Sequence, residues 1–182
     1  MMKKFGPEEI STQTIMKSSM QRAVRAQILE EYPRLEPVME QIWPKKASPV
    51  LLKCQNRISL VVLDGKALFF QHRDRQWVPT LRLLHEYPSM MPKMQVDRGA
   101  VKFVLRGSNV MCQGLTSPGG RMEEVPANTV VQIAVEGKEL SCAIGITTMS
   151  TDEIRRENKG PCIETLTSLN DGLWSFECVG RA

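Results

Sequence analysis

Apolar residues recur at helical spacing near the start of the chain. Met20, Val24 and Ile28 fall on one face of a predicted helix, and one of the two serines before Met20 stands where a capping residue belongs. The next proline removes a backbone donor and should end this helix. A second short helix is predicted at Leu35–Trp43, and Lys45–Pro49 after it forms an exposed basic loop.

The spacing then changes to one typical of strands. Three β-prone runs follow one another, at Val50–Cys54, Arg57–Leu63 and Lys66–His72. Asp64-Gly65, between the last two runs, is a strong signal for a two-residue hairpin. A short helix is predicted at Leu81–Tyr87. The two prolines of Tyr87–Pro92 then indicate a domain boundary or a rigid linker.

The second half begins with a helix and continues with strands. Asp97 can cap a helix over Arg98–Arg106, which Gly107 ends. Five later runs have the composition of strands: Asn109–Cys112, Thr129–Val135, Leu140–Met149, Cys162–Leu169 and Leu173–Cys178. One helix and several short strands with glycine-rich turns favour a small barrel. We therefore predict an α+β fold, with an N-terminal α/β domain and its small antiparallel sheet at 1–92 and a β-barrel at 93–182.

Composition places the chain among ordinary globular proteins. Of its 182 residues, 42% are hydrophobic and 24% are charged, which argues against wholesale disorder. No apolar run approaches the roughly 18 residues of a membrane helix. The basic start of the chain has no apolar segment behind it, so it does not resemble a secretory signal. We expect a soluble intracellular protein.

The five cysteines do not suggest a metal site. They are widely spaced and include no C-x-x-C pair, and neither histidine lies near one in sequence. We expect reduced, mostly buried thiols and no metal or cofactor. Catalytic patterns are also missing, since no glycine-rich phosphate loop, zinc-protease motif or recognisable triad spacing occurs. The chain is therefore predicted not to be an enzyme.

Positive charge is concentrated at the start of the second half. Residues 93–121 hold five cations against Asp97 alone: Lys93, Arg98, Lys102, Arg106 and Arg121. Arg98, Lys102 and Arg106 recur at every fourth position, so one face of the helix would hold all three. Ala100, Val101, Phe103 and Val104 occupy other faces and can pack on a barrel.

Such a face could bind RNA phosphates. Arg98, Lys102, Arg106 and Arg121 are the candidates here, with Lys45 and Lys46 as a second basic site in the first half. Two other interpretations stay open. The cations could form an ordinary solvated face, or Arg98 and Arg106 could pair internally with acids such as Glu123 or Asp152.

The segment at 97–115 resembles the opening of PUA domains, RNA-binding barrels. The likeness extends over nearly the whole chain to the malignant T-cell-amplified sequence family of translation factors. The residues that carry it are Lys3-Lys4-Phe5, Pro44-Lys45-Lys46, Asp64-Gly65, Leu68-Phe69-Phe70, Pro79–His85, Tyr87-Pro88, Gln95–Ala100, Gly114–Gly119 and Asn170–Trp174. Gln113 stands where that family usually has proline.

The resemblance implies a PUA-type β-barrel and a place in translation. Family members act in the cytoplasm on the 40S ribosomal subunit, in recycling, release of deacylated tRNA and reinitiation. Their partner is density-regulated protein, and 18S rRNA and tRNA are the expected RNA contacts. The chain by itself is expected to be monomeric and to bind no membrane.

The N-terminal domain would dock both ribosome and partner. Trp77, which lies among charged and polar residues, is predicted to be exposed and to anchor the partner. Two rival functions stay open: an accessory PUA protein of RNA modification, and a protein-interaction adaptor without specific RNA binding.

Overall fold

The computed structural model describes residues 1–176. These residues form two units, each with its own sheet. The N-terminal unit comprises Phe5–Met90 together with Phe176, and the C-terminal unit comprises Met91–Ser175 together with Met1–Lys4. The mixed content of helix and strand in both units confirms the predicted α+β class.

The N-terminal unit is built on a five-stranded antiparallel sheet whose strands follow one another in chain order. The strands are β1 (Ile10–Ile15), β2 (Val50–Cys54), β3 (Ile58–Leu63), β4 (Lys66–His72) and β5 (Val78–Pro79). The helices are α1 (Ser18–Glu31), α2 (Met39–Ile42) and α3 (Leu81–Glu86), with 3₁₀ turns at Pro7–Glu9, Pro33–Val38 and Gln55–Arg57.

The predicted strands β2 to β4 are confirmed almost residue for residue. Asp64 and Gly65 both have positive φ, 49° and 78°, as a two-residue hairpin requires. Leu63 pairs with Lys66 across this turn. The hairpin therefore forms where the Asp-Gly pair predicts it.

The helices depart from the prediction in detail. Lys17, not a serine, precedes α1, and its side chain makes no capping hydrogen bond. Val24 and Ile28 are buried, whereas Met20 is 44% exposed and does not belong to the packed face. The second predicted helix divides into the 3₁₀ turn and α2, because Pro37 has no N–H to donate inside the turn.

The C-terminal unit contains a six-stranded, curled sheet. In chain order the strands are β6 (Lys93–Val96), β7 (Val110–Met111), β8 (Arg121–Met122), β9 (Val130–Val135), β10 (Ala143–Thr147) and β11 (Pro161–Ser168). Their order in the sheet is β7-β11-β10-β9-β6-β8, and the β6–β9 pair is parallel. The helices are α4 (Val101–Leu105), α5 (Cys112–Thr116) and α6 (Thr151–Glu157).

Four of the five predicted C-terminal strands appear, as β7, β9, β10 and β11. Of the fifth, at Leu173–Cys178, residues 173–175 form turns, and Glu177 and Cys178 lie outside the described residues. Strand β6 directly follows the segment predicted as a boundary or linker. Met90 and Met91 in that segment are only 3% and 1% exposed.

The described cysteines have the buried character that the sequence predicts. Cys54, Cys112, Cys142 and Cys162 are free thiols and all are buried. Burial raises the pKa of the Cys54 and Cys142 thiols to about 11. Burial beside Cys112 raises the pKa of Cys162 further. Because the thiolate is the reactive form, these side chains should be chemically inert at neutral pH.

We expect native iodoacetamide labelling at pH 8 to leave these four cysteines largely unmodified. Burial blocks access of the reagent to all four thiols, and the raised pKa of Cys54, Cys142 and Cys162 also keeps these three protonated at this pH. Mass spectrometry of tryptic peptides measures the modification at each site, with the chain in urea as the fully labelled control. Rapid native labelling of Cys112 or Cys162 would contradict the burial described here.

Candidate nucleic-acid interface

The basic segment at 98–106 is a tight turn followed by the short helix α4. The Asp97 carboxylate accepts a hydrogen bond from the Ala100 N–H at 3.0 Å, which closes the turn over Arg98–Ala100. The helix proper begins at Val101 and ends at Leu105. The predicted helix over Arg98–Arg106 is therefore too long at both ends, because Asp97 stabilises a turn rather than a full helical start.

The inner side of this segment anchors it to the C-terminal core. Val104 is 1% exposed, and Ala100 and Val101 pack against the same apolar cluster. Gly107 ends the helix with a φ of +86°, and its N–H donates to the Val104 carbonyl at 2.9 Å. A residue with a side chain is disfavoured at this φ, so glycine fixes where the helix stops.

The outer side carries the predicted cations. Arg98, Lys102 and Arg106 are all exposed, and none forms an ion pair with any other residue of the described chain, 1–176. Of the two acids considered as internal partners, Asp152 instead contacts Arg155 at 3.5 Å, and Glu123 forms no ion pair with Arg98 or Arg106. The alternative of internal pairing is therefore not observed.

Arg155 is an arginine of the same unit that does form internal ion pairs. It pairs with Glu124 as well as Asp152, and Glu124 also accepts a hydrogen bond from Thr151 at 2.8 Å. The hydrogen bonds from Arg155 and Thr151 lower the pKa of the Glu124 carboxyl. The cations at 98–106 lack such partners, so their charge faces solvent.

Two further positions extend the basic surface. Arg121 is exposed on strand β8 and lies across from Gln95 of β6, the strand that leads into Asp97. The guanidinium of Arg98 lies over the turn at Gly137, where a Cβ would stand 2.8 Å from Nη2. The absent side chain at Gly137 thus leaves room for Arg98.

Apolar side chains lie exposed among these cations. Phe103 is 49% exposed and Leu105 is 39% exposed. The expectation that Phe103 packs on the barrel is wrong, because its side chain lies on the outer side of the short helix. Val104 is buried, as expected. The Lys102 ammonium lies 5.1 Å from the centroid of the Phe103 ring. Cations that alternate with an accessible aromatic ring are typical of surfaces that bind unpaired nucleotides.

Lys45 and Lys46 lie in the N-terminal unit and are exposed, as predicted for the basic loop. They occupy the turn after Trp43, and the Lys45 N–H donates to the Glu40 carboxylate at 3.0 Å.

Trp77 is buried, and the expectation that it is exposed is wrong. Its side chain is 6% exposed, and its backbone carbonyl accepts a hydrogen bond from the Tyr32 hydroxyl at 2.6 Å. The polar residues before it form the turn that leads to β5, while the indole enters the core of the N-terminal unit. The proposed role of Trp77 as a partner anchor required an exposed side chain, and this side chain is buried.

Neither a metal centre nor a membrane helix occurs in the part of the chain that the structure describes. No three His, Cys, Asp or Glu side chains between residues 1 and 176 converge as metal ligands would. Over the same range, no helix has the length and apolar character needed to cross a bilayer.

Comparison with known proteins assigns a family to each unit. Residues 5–88 match the Pre-PUA-like domain, and residues 92–169 match the PUA domain. Malignant T-cell-amplified sequence 1 homolog from Drosophila melanogaster is 51% identical over 98% of this chain and 100% of its own length. The chain belongs to the malignant T-cell-amplified sequence family.

Other members of this family are nearly as similar. Malignant T-cell-amplified sequence 2 from Homo sapiens is 42% identical, over 97% of this chain and 98% of its own length. Translation machinery-associated protein 20 from Saccharomyces cerevisiae is 44% identical, with the same coverage of both chains.

Solved structures confirm the fold. A hypothetical protein from Pyrococcus horikoshii superimposes with a TM-score of 0.75, covering 90% of this chain and 98% of that one, at 19% identity. A PUA domain protein from Aeropyrum pernix gives a TM-score of 0.69, covering 90% and 89%, at 18% identity. The predicted PUA-type fold is thus confirmed.

Gln113, which departs from the family pattern, occupies the second position of α5. An N–H in the first turn of a helix needs no partner within the helix, so proline and glutamine are both compatible with this position. The substitution therefore need not alter the turn that follows.

We expect Asp97→Ala to destabilise the chain by about 0.5–2 kcal/mol, the usual loss for a capping side chain. Asp97→Asn should retain most of the stability, because its amide oxygen can accept the same bond from the Ala100 N–H. Urea denaturation of both variants measures the difference. Equal stability of Asp97→Ala and the natural chain would show that the turn does not need this hydrogen bond.

Proposed function

We propose that this chain is a non-enzymatic, RNA-binding factor of translation that acts on the 40S ribosomal subunit. Membership of the family, the PUA domain at 92–169 and the name of the yeast relative support a role in the translation machinery. The observation that carries RNA binding is the set of exposed cations that form no ion pair within residues 1–176: Arg98, Lys102, Arg106 and Arg121.

Unpaired surface cations suit a phosphate backbone. Each phosphate contact releases bound counterions, so a small rigid array of Lys and Arg binds RNA without needing base recognition. The array here is held from below by Val104 and the Asp97 turn. Its positions are therefore fixed before RNA arrives, which reduces the entropy lost on binding.

Membership of the family supports a more specific role in translation. We infer that the chain works with density-regulated protein in ribosome recycling, release of deacylated tRNA and reinitiation, and that it does so in the cytoplasm. The N-terminal unit would dock the ribosome and the partner, with exposed Lys45 and Lys46 supplying contacts to 18S rRNA. The chain itself would be monomeric and would contact tRNA through its PUA unit.

A protein-interaction adaptor is the rival function. The exposed Phe103 and Leu105 favour it, since accessible apolar side chains often anchor protein partners. The two functions make different demands on the same surface. RNA binding needs the cations and weakens with salt, whereas an apolar protein contact depends on Phe103 and is much less sensitive to salt.

We expect Lys102→Glu with Arg106→Glu to weaken binding to tRNA and to 40S subunits. The dependence of log affinity on log salt should fall by about 0.7–0.9 for each phosphate that the variant no longer neutralises. Stability should change by less than about 0.5 kcal/mol per site, because both side chains are exposed and unpaired. Filter binding at two salt concentrations and thermal melting measure the two effects.

Arg156→Glu with Lys159→Glu is the matched control. Both residues are exposed on the same unit, and the substitution changes the net charge equally. If the control weakens binding as much as the test variant, only net charge matters and the surface has no specific role. A folded test variant with natural affinity and salt dependence would also refute the proposal.

We expect Phe103→Ala to weaken binding of unpaired RNA by roughly 1–3 kcal/mol, the usual value of stacking one base on an aromatic ring. The salt dependence should not change, because the substitution removes no charge. Fluorescence anisotropy with a labelled single-stranded oligonucleotide measures both. Natural RNA affinity together with failure to capture density-regulated protein would assign Phe103 to a protein contact instead.

A further inference from the structure

Two arginines have their backbones in contact at one end of the antiparallel sheet in the N-terminal unit. Arg57 lies at the end of the turn between β2 and β3, and Arg73 follows the last residue of β4. The Arg73 N–H donates to the Arg57 carbonyl at 2.7 Å. This bond continues the β3–β4 pairing, in which Ile58 lies opposite His72. The sheet therefore brings two residues from separate turns into direct contact.

Both arginines have a left-handed backbone. Arg57 has a φ of 59° and Arg73 a φ of 57°, in a region that residues with a Cβ enter at a cost and that glycine enters freely. Asn56 also has positive φ, but asparagine tolerates it well. The chain thus uses arginine at two positions where the backbone favours glycine.

Charge is the second shared feature. Arg57 and Arg73 are both exposed cations. Neither forms an ion pair with another residue in the range 1–176. The adjacent Asp74 is exposed and does not pair with either of them. No acidic side chain within residues 1–176 therefore neutralises either charge.

The surroundings hold the two backbones in place. The turn after β4 is closed by a bond from the Arg75 N–H to the His72 carbonyl at 3.3 Å. The Gln71 side-chain amide donates to the Arg75 carbonyl at 2.9 Å. These bonds hold both left-handed backbones in one conformation, so each arginine extends from a rigid turn.

We propose that Arg57 and Arg73 clamp a phosphate of an RNA backbone. Guanidinium groups bind phosphate oxygens in pairs of hydrogen bonds, so two arginines whose backbones are in direct contact can bracket one phosphodiester. The exposed amides of Gln55 and Asn56 beside them can contact ribose hydroxyls, which an acidic peptide does not offer. The clamp gives the N-terminal unit its own RNA contact, in addition to the PUA surface and Lys45–Lys46.

The test uses the full chain and a fluorescein-labelled single-stranded oligoribonucleotide, followed by anisotropy at two salt concentrations. Arg57→Gln with Arg73→Gln should weaken binding roughly tenfold or more, as expected when hydrogen bonds to a charged group are removed. The salt slope should fall by about 0.7 for each phosphate of a single strand that is no longer neutralised. Lys17→Gln with Arg22→Gln, which removes two exposed cations at the start of α1, should leave affinity within about twofold.

A glycine pair separates binding from a structural role. Arg57→Gly with Arg73→Gly should reduce RNA affinity to the same extent as the glutamine pair, while its melting temperature equals or exceeds that of the natural chain, because glycine relieves the left-handed backbone. A lower melting temperature in both pairs with unchanged RNA affinity would show that the arginines are structural, and would overturn the clamp.

Two comparisons distinguish this inference from the proposed PUA surface and from a protein ligand. If only Lys102→Glu with Arg106→Glu reduces RNA binding, the clamp is wrong and the PUA surface stands. If only the Arg57 and Arg73 pairs reduce it, the clamp stands and the PUA surface fails. Loss of polyglutamate binding with RNA binding intact would assign the arginines to acidic peptides and overturn the proposal.

Discussion

The parallel pairing of β6 with β9 is the constraint on which the C-terminal unit depends. All six residues of β9 are buried, so both faces of this strand are covered. Backbone bonds join the Gln132 N–H to the Pro92 carbonyl at 3.0 Å and the Glu136 N–H to the Val96 carbonyl at 3.1 Å. The side chain of Gln132 is buried as well. Its amide N–H donates to the Met91 carbonyl, and its amide oxygen accepts from the Ser141 hydroxyl. A buried amide in this position would be costly without both partners. Because β6 ends at Val96, this pairing fixes the position of Asp97 and therefore of the basic segment that follows it.

The central hairpin and the exposed cations could be predicted because local rules decide them. Asp64-Gly65 specifies its own turn, and Lys102 and Arg106 stay in solvent because no acid within the described chain competes for them. Strand β1 could not be predicted, since an edge strand with five exposed residues shows no apolar alternation. The exposure of Trp77 was predicted wrongly, because its polar neighbours belong to a turn while its indole enters the core. The burial of Phe103 was predicted wrongly, because helical spacing alone does not show how short α4 is.

The backbone of Arg57 and Arg73 was beyond sequence reasoning for a different reason. Nothing in the residues around Asn56 or Asp74 signals a positive φ at the arginines, and only the antiparallel register brings the two turns together. The paired Arg155 offers the contrast within the same chain. Its charge is used by Glu124 and Asp152, and it contributes to holding α6 in place. Cations that stabilise this fold are thus distinguished from the rest by the acids beside them.

The attachment of residues 1–4 to the C-terminal unit has a consequence for how the chain folds as it is made. Met2 is 1% exposed, and its carbonyl accepts a hydrogen bond from the Gly172 N–H at 3.0 Å. The ribosome synthesises Met2 about 170 residues before Gly172, so this contact must wait while nearly all of the intervening chain emerges. Contacts between residues so distant in sequence form late and slowly. The N-terminal unit can therefore acquire its sheet early in synthesis, whereas the C-terminal unit completes its contact with Met2 only after Gly172 has emerged.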